Sequence, residues 1–188
     1  MSKAVMLSIR PKWCAKIANG EKTIEVRKTR PKLDTPFKCY IYCTMPDAKD
    51  LHQILEIHGA GGKIRKANGK VLGEFSCDCI MPMYNVCMDD WKRLAGGLHN
   101  IEKELVNQAC LTEAKLHTYA GGKNCFAWHI SDLLIYDQPR ELTAFRRACK
   151  NSWYCESCAM YWENNGTCGN ESLQIRRPPQ SWCYVEEG

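Results

Sequence analysis

No apolar run in this chain is long enough to cross a bilayer. The longest, such as Ile80–Met83, end after a few residues, whereas a spanning helix needs about 20. The first apolar stretch, Ala4–Ile9, is interrupted by Ser8 and closed by Arg10 and Pro11, so it does not read as a secretory leader. Histidines at metal-ligand spacing are also missing, because His52, His58, His99, His117 and His129 each stand alone. The glycine-rich stretch Gly59–Gly62 fits neither the Walker A spacing nor the dinucleotide fingerprint, which removes a phosphate-loop nucleotidase or dehydrogenase from consideration. Acidic side chains are scarce at the start: residues 1–32 contain only Glu21 and Glu25. These absences lead to the expectation of a cytoplasmic protein without a membrane segment.

The remaining composition is that of a folded chain. Of 188 residues, 45% are apolar and 25% charged, and the mean hydropathy is −0.43. This length can bury a core of ordinary domain size. The net charge of +5 is unevenly distributed. Lys3, Arg10, Lys12, Lys16, Lys22, Arg27, Lys28, Arg30 and Lys32 outnumber the two early glutamates by seven, so the rest of the chain is slightly acidic. A second acid-free cluster is Lys63, Arg65, Lys66 and Lys70. Such a footprint points to an anionic partner, nucleic acid being the commonest; for the 63–70 cluster a merely solvated face accounts for it as well.

Local pattern gives a coarse order of elements. Val5–Ile9 alternates as a strand, and Pro11 opens a helix over Lys12–Asn19 that Gly20 stops. Thr23–Arg27 alternates again, with Ile24 and Val26 expected inward and Thr23, Glu25 and Arg27 outward. Phe37–Thr44 reads as a strand, Lys49–His58 as a short helix, Val71–Met81 as one strand or two, and Asp89–Leu94 as a helical turn. Thr112–Tyr119 has a capping threonine and helical spacing. Cys125–Tyr136 alternates, with Phe126, Trp128 and Ile130 on the core side. Short strands and helices without a βαβ rhythm predict an α+β fold built on a small, partly closed barrel. Beyond about residue 145 periodicity fades and cysteine, tryptophan and proline rise. The expected division is therefore 1–145 for the barrel and 146–188 for a cysteine-rich tail module.

The densest chemistry lies in Gly20-Glu21-Lys22-Thr23-Ile24-Glu25-Val26-Arg27. Glu25 and Arg27 lie two apart on a strand, so they share a face about 6.6–7 Å apart. Arg10, Lys22, Arg27 and Arg30 could gather around the single Glu25 carboxylate, with Ser8 on the same outward face as Arg10. Arginine suits bidentate phosphate or base-edge contacts and lysine acts as a mobile point charge. The plainer alternative is an exposed Glu25–Arg27 ion pair worth under about 1 kcal/mol. Trp13 and Tyr119 are placed to stack on bases, and Lys12 and Lys123, the latter in a glycine loop, add charge nearby.

The segment resembles the Gly-x-Lys-x-x-Glu-x-Arg signature of the ASCH domain, a PUA-like β-barrel named for activating-signal-cointegrator homology. Gly20, Lys22, Glu25 and Arg27 fill its fixed positions, and one strand and one helix precede it as in the family. The resemblance extends over residues 3–145 and implies a basic cleft for RNA or modified nucleotides lined by Lys22, Glu25 and Arg27. One branch of the family is similar to amidohydrolases of N4-acetylcytidine, which use the signature lysine, a threonine three residues later and a separate glutamate. Here Lys22 matches, the threonine position holds Glu25, and Glu74 is the candidate for the separate carboxylate. By this route Lys22 and Glu25 become catalytic candidates, since a desolvated lysine can act as base or nucleophile.

Thirteen cysteines, an odd count with no export signal, favour metal ligation or buried thiols over disulfides. Cys155-x2-Cys158-x9-Cys168-x14-Cys183 has the spacing of a four-thiolate zinc site, with Cys149 in reserve. Such a structural zinc contributes roughly 10–16 kcal/mol of binding free energy to folding. A redox pair or free thiols are the other readings of these cysteines. Cys14, Cys39, Cys43, Cys77, Cys79, Cys87, Cys110 and Cys125 are expected to pack as small hydrophobes. The closing Arg176-Arg177-Pro178-Pro179 segment through Val185 resembles the tails of small prophage-type bacterial ASCH proteins, and its aromatics offer a possible docking face for a protein partner.

Overall fold

The computed structural model describes residues 3–46, 54–58, 64–83, 98–149, 157–165 and 168–186, with the backbone alone for 98–102. The chain forms two compact units. One comprises Met1–Pro11, Lys38–Glu74 and Ile135–Gly188, and the other Lys12–Phe37 and Phe75–Leu134. Both mix sheet and helix or helical turn, as the α+β expectation requires. No helix among the described residues is long and apolar enough to cross a membrane.

The first unit is organised on a five-stranded sheet in the order β10-β1-β3-β6-β9. These strands are β1 (Lys3–Ile9), β3 (Phe37–Cys43), β6 (Lys70–Cys77), β9 (Ser131–Glu141) and β10 (Trp182–Glu186). β1 runs parallel to β3, with Val5 opposite Cys39 and Ile9 opposite Cys43. A parallel pair needs a long crossover, and the intervening chain is the piece that enters the second unit. β1 is flanked on both edges, so its apolar run is buried from Ala4 to Leu7. One core cluster collects Ala4, Met6, Tyr40, Tyr42, Val71, Leu142, Phe145, Ile175 and Val185. Tyr40 meets Phe145 edge-on, the ring centroids 4.9 Å apart. A short hairpin of β4 (Glu56–His58) and β5 (Ile64–Lys66) completes the strands described in this unit.

Described residues of the tail join the first sheet. β10 pairs antiparallel with β1, from Lys3 opposite Glu186 to Leu7 opposite Trp182. Ile175 donates its N–H to the Phe145 carbonyl at 3.0 Å, and Ile175 and Val185 belong to the core cluster just described. Part of the segment 146–188, expected as a tail module, is thus structural substance of the first sheet, with α4 (Ala159–Glu163) as its only described α-helix. The helix expected over Lys49–His58 is corrected where it can be followed, since Glu56–His58 is strand β4; residues 49–53 lie outside the described residues. So does the turn expected at Asp89–Leu94.

In the second unit, β2 (Ile24–Arg27), β8 (Cys125–His129) and β7 (Ile80–Met83) form an antiparallel sheet in that order. α1 (Pro11–Ala18) begins on proline as expected, and Cys14 and Ile17, three apart on one face, are buried. α2 (Leu98–Gln108) and α3 (Glu113–Ala120) follow β7. The Thr112 hydroxyl caps α3 by accepting the Lys115 N–H, and left-handed Gly121 closes it through its own N–H to the His117 carbonyl. The core of this unit gathers Ile24, Val26, Met83, Leu105, Val106, Ala109, Ala120, Cys125 and Ala127. Trp128 is fully buried against Phe37, edge to face at 5.8 Å.

Candidate functional site

The site is built where α1 gives way to β2. Gly20 adopts φ +74°, a left-handed conformation that L-side chains rarely take. It ends the helix with an N–H donated to the Ile17 carbonyl at 2.9 Å, and Lys22 is pinned by its own N–H to the Lys16 carbonyl at 3.0 Å. Glycine at this position lets the chain reverse tightly enough to deliver Lys22 at the junction. β2 is then fixed by register: Glu25 lies opposite Trp128 and Arg27 opposite Phe126.

Three charged side chains converge here, all within the second unit. Lys22 is 3% exposed, and Glu25 and Arg27 are each 7% exposed. Lys22 Nζ donates to the Ile24 carbonyl at 2.6 Å and the Ala109 carbonyl at 2.9 Å, and lies 3.3 Å from Glu25 Oε2. Arg27 Nη2 lies 3.0 Å from Glu25 Oε1. Glu25 and Arg27, expected to face outward, are instead buried, and the plainer alternative of an exposed ion pair does not hold. They do share a face and pair, and Lys22 beside them reaches the Ala109 carbonyl, 87 residues on in the chain. Two cations around one carboxylate leave an excess positive charge out of water. Buried charges of this kind are tolerated when they are paired and hydrogen-bonded.

The donors on Lys22 bear on its chemistry. An ammonium has three N–H bonds and no acceptor. Here two carbonyls and a carboxylate surround it, matching that number. Acting as base or nucleophile would require a lone pair, and with it the loss of one of these interactions. The arrangement suits a fixed cation. Glu74, the candidate for a separate catalytic carboxylate, belongs to the first unit, where it accepts the Tyr136 hydroxyl proton and stands 3.4 Å from Lys38 Nζ.

Aromatic rings flank the triad. Trp13 is half-buried, with the ammonium groups of Lys12 and Lys22 each 5.3 Å from its ring centre. Tyr119 remains 40% exposed, and Lys28 Nζ lies 5.2 Å from its ring. Burial pushes the Tyr119 hydroxyl pKa up, opposed by the nearby Arg27 charge. Lys12, Lys28, Arg30 and Lys123 are exposed. Ser8 and Arg10 belong to the first unit: the Ser8 hydroxyl donates to the Pro179 carbonyl at 2.6 Å, and Arg10 is exposed.

No protein-family model and no curated protein matches this sequence. Solved structures do. The chain is similar to ASCH from Zymomonas mobilis, with a TM-score of 0.52 at 17% identity over 98% of this chain and 88% of that one. A tyrosine-to-phenylalanine variant of the same protein gives a TM-score of 0.50 at 18% identity, over 99% and 92% of the two chains. The chain has the ASCH fold. The fold implied by the Gly20, Lys22, Glu25 and Arg27 resemblance is therefore the one observed.

Within this ASCH fold the cysteines separate by burial. Cys14, Cys39, Cys43, Cys77 and Cys125 are buried thiols as expected, whereas Cys79 is exposed and Cys110 half-buried; Cys87 lies outside the described residues. Among the expected zinc ligands, Cys158 is exposed and Cys168 half-buried, while Cys155 lies outside the described residues. Cys183 packs against the core cluster of the first unit, and burial raises its thiol pKa. Among the described residues no three of His, Cys, Asp and Glu stand together as metal ligands.

Sequence reading missed two parts of the triad's setting. The Ala109 carbonyl, at the end of α2, was signalled by apolar residues 98, 101, 105 and 109, whose spacing fits one helix face. The Lys28–Tyr119 contact joins residues far apart in the chain and left no local signal.

Proposed function

We propose that this chain is an ASCH-family RNA-binding module that holds a single-stranded RNA or a modified nucleotide at the Lys22–Glu25–Arg27 triad. The observation that carries this reading is the buried excess of one positive charge set between two partly exposed aromatic rings. A phosphate is drawn to the uncompensated charge, and Lys12 and Lys28 extend the attraction at the surface. Trp13 and Tyr119 offer faces on which a base can stack, an interaction available to any base. Glu25 holds Lys22 and Arg27 in place, so the cationic groups are ordered before a ligand arrives.

Titration of a labelled single-stranded oligoribonucleotide at about 50 mM salt tests this, because phosphate contacts make affinity fall steeply as salt rises. Binding is expected to weaken in Lys28→Ala combined with Tyr119→Ala, both exposed enough to be changed without opening the core. No binding by the unaltered protein, or binding indifferent to that double change, would remove the reading.

A further inference from the structure

The first unit has a cleft of its own. Its volume is about 620 Å³, and its polar lining is Arg65, Lys66, Lys70, Gln138, Arg140 and Glu141. Arg65 and Lys66 come from β5, Lys70 opens β6, and the other three close β9. Four cations therefore face one carboxylate. That carboxylate is already engaged, since Glu141 Oε1 lies 2.7 Å from Lys70 Nζ. Glu56 is opposite Lys66 in the hairpin register, but among the described residues no carboxylate forms a salt bridge with Arg65, Lys66 or Arg140.

Arg140 is the most constrained of these cations. Its guanidinium lies 4.8 Å from the Phe145 ring centre and 5.9 Å from that of Tyr136. Phe145 is a core residue, and the Tyr136 hydroxyl donates to the Glu74 carboxylate. Both rings are anchored, so the guanidinium is oriented by stacking while remaining exposed. Stacked arginine keeps its planar fork for a phosphate. Ile64, on the same strand as Arg65, lines the cleft and is 57% exposed, offering an apolar surface beside the charges.

We propose that this cleft is a second nucleic-acid contact, in which Arg65, Lys66 and Arg140 hold phosphates of a single-stranded RNA. An open groove in which three cations form no salt bridge with a carboxylate among the described residues fits the repeated charge of a strand better than a small neutral ligand. The proposal rests on the RNA-binding reading above and adds a separate phosphate-holding face.

The test compares the unaltered protein with Arg65→Ala/Lys66→Ala/Arg140→Ala by fluorescence anisotropy, using a long single-stranded oligouridylate over a range of salt. Loss of three phosphate contacts is expected to weaken binding about tenfold or more, and to flatten the salt dependence by about 2 logarithmic units per decade of salt, about 0.7 per phosphate on a single strand. Arg65→Glu/Lys66→Glu, confined to the hairpin, provides a second variant that leaves Arg140 on its rings, and thermal melting checks that each variant is folded. If the unaltered protein binds and both folded variants bind equally well with the same salt dependence, the cleft proposal is overturned and the RNA reading stands. If the unaltered protein does not bind RNA, both fall.

Discussion

The Glu25 carboxylate lies 3.0 Å from the Arg27 guanidinium, and both side chains are more than nine-tenths buried. The other carboxylate oxygen faces Lys22 at 3.3 Å. A single acid thus neutralises part of a doubly cationic interior, and the positive charges depend on it.

Removing that acid should cost more than removing an ordinary surface charge. Glu25→Ala leaves two buried cations without their counter-charge, a change that typically costs about 3–5 kcal/mol. Urea denaturation measures it. A loss below about 1 kcal/mol would mean that the triad is solvated rather than buried.

The surroundings of Lys22 argue against lone-pair chemistry. Incubation with N4-acetylcytidine is expected to release no cytidine, as followed by chromatography. Turnover that disappears in Lys22→Met but survives in a surface lysine variant would establish the opposite.

The first sheet needs its last strand. Val185 is fully buried, and loss of such a side chain's burial costs roughly 1.5–3 kcal/mol, so Val185→Ala should lower the unfolding midpoint accordingly. Removal of residues 182–188 should go further and abolish cooperative unfolding, because it uncovers the β1 edge as well. A truncated chain that melts like the full one would contradict the assignment of β10 to this core.

Thiol reactivity should divide along burial. Burial pushes the Cys77 pKa up from the ordinary 9.0 to about 12 and raises that of Cys183, whereas Cys79 is exposed. Alkylation of the folded protein at pH 8.5 should label Cys79 well before Cys77 or Cys183, as mapped by mass spectrometry. Unfolded Cys77 ionises from about pH 9 while the folded thiol stays neutral. Its contribution to stability is therefore complete below pH 9 and is lost progressively as pH rises toward 12. A stability flat across that range in the unaltered protein would refute this, and Cys77→Ala should reduce the slope.

Zinc in the tail is a separate proposal, resting on the Cys155-x2-Cys158 spacing. Cys183 packs against the first unit's core cluster, so Cys149 is proposed as the fourth ligand beside Cys168. These cysteines, like the set with Cys183, do not stand together among the described residues, and the metal would have to gather them. Elemental analysis of the purified protein should find one zinc per chain, retained in Cys183→Ser and lost in Cys158→Ser. Absence of zinc from protein purified without chelator would dismiss it.

Much of the site was legible because its punctuation is local. Pro11 and Gly20 bound α1 through backbone rules that act within a turn, and the alternation of Ile24-Glu25-Val26-Arg27 correctly places Glu25 and Arg27 on one face. Alternation does not say whether the polar face is covered. The Ala109 carbonyl that holds Lys22 lies 87 residues further on, so the burial of Lys22, Glu25 and Arg27 was invisible locally. The place of β10 in the first sheet was hidden for a related reason. β10 is a short strand in which Val185 alone is fully sequestered, and its pairing with β1 is the most distant in the chain. Cysteine and proline dominated the local pattern instead and suggested a self-contained module.

The pairing of Lys3 with Glu186 has a consequence for how the molecule is made. β1 finds one of its two neighbours only after the whole stretch from Ile9 to Trp182 has been synthesised. Until then β1, apolar on both faces, has an unpaired edge. Closing so long a loop is entropically costly and slow compared with forming local hairpins and helices. The β1–β10 edge of the first sheet therefore closes late, and until then the open edge of β1 must be kept from strangers.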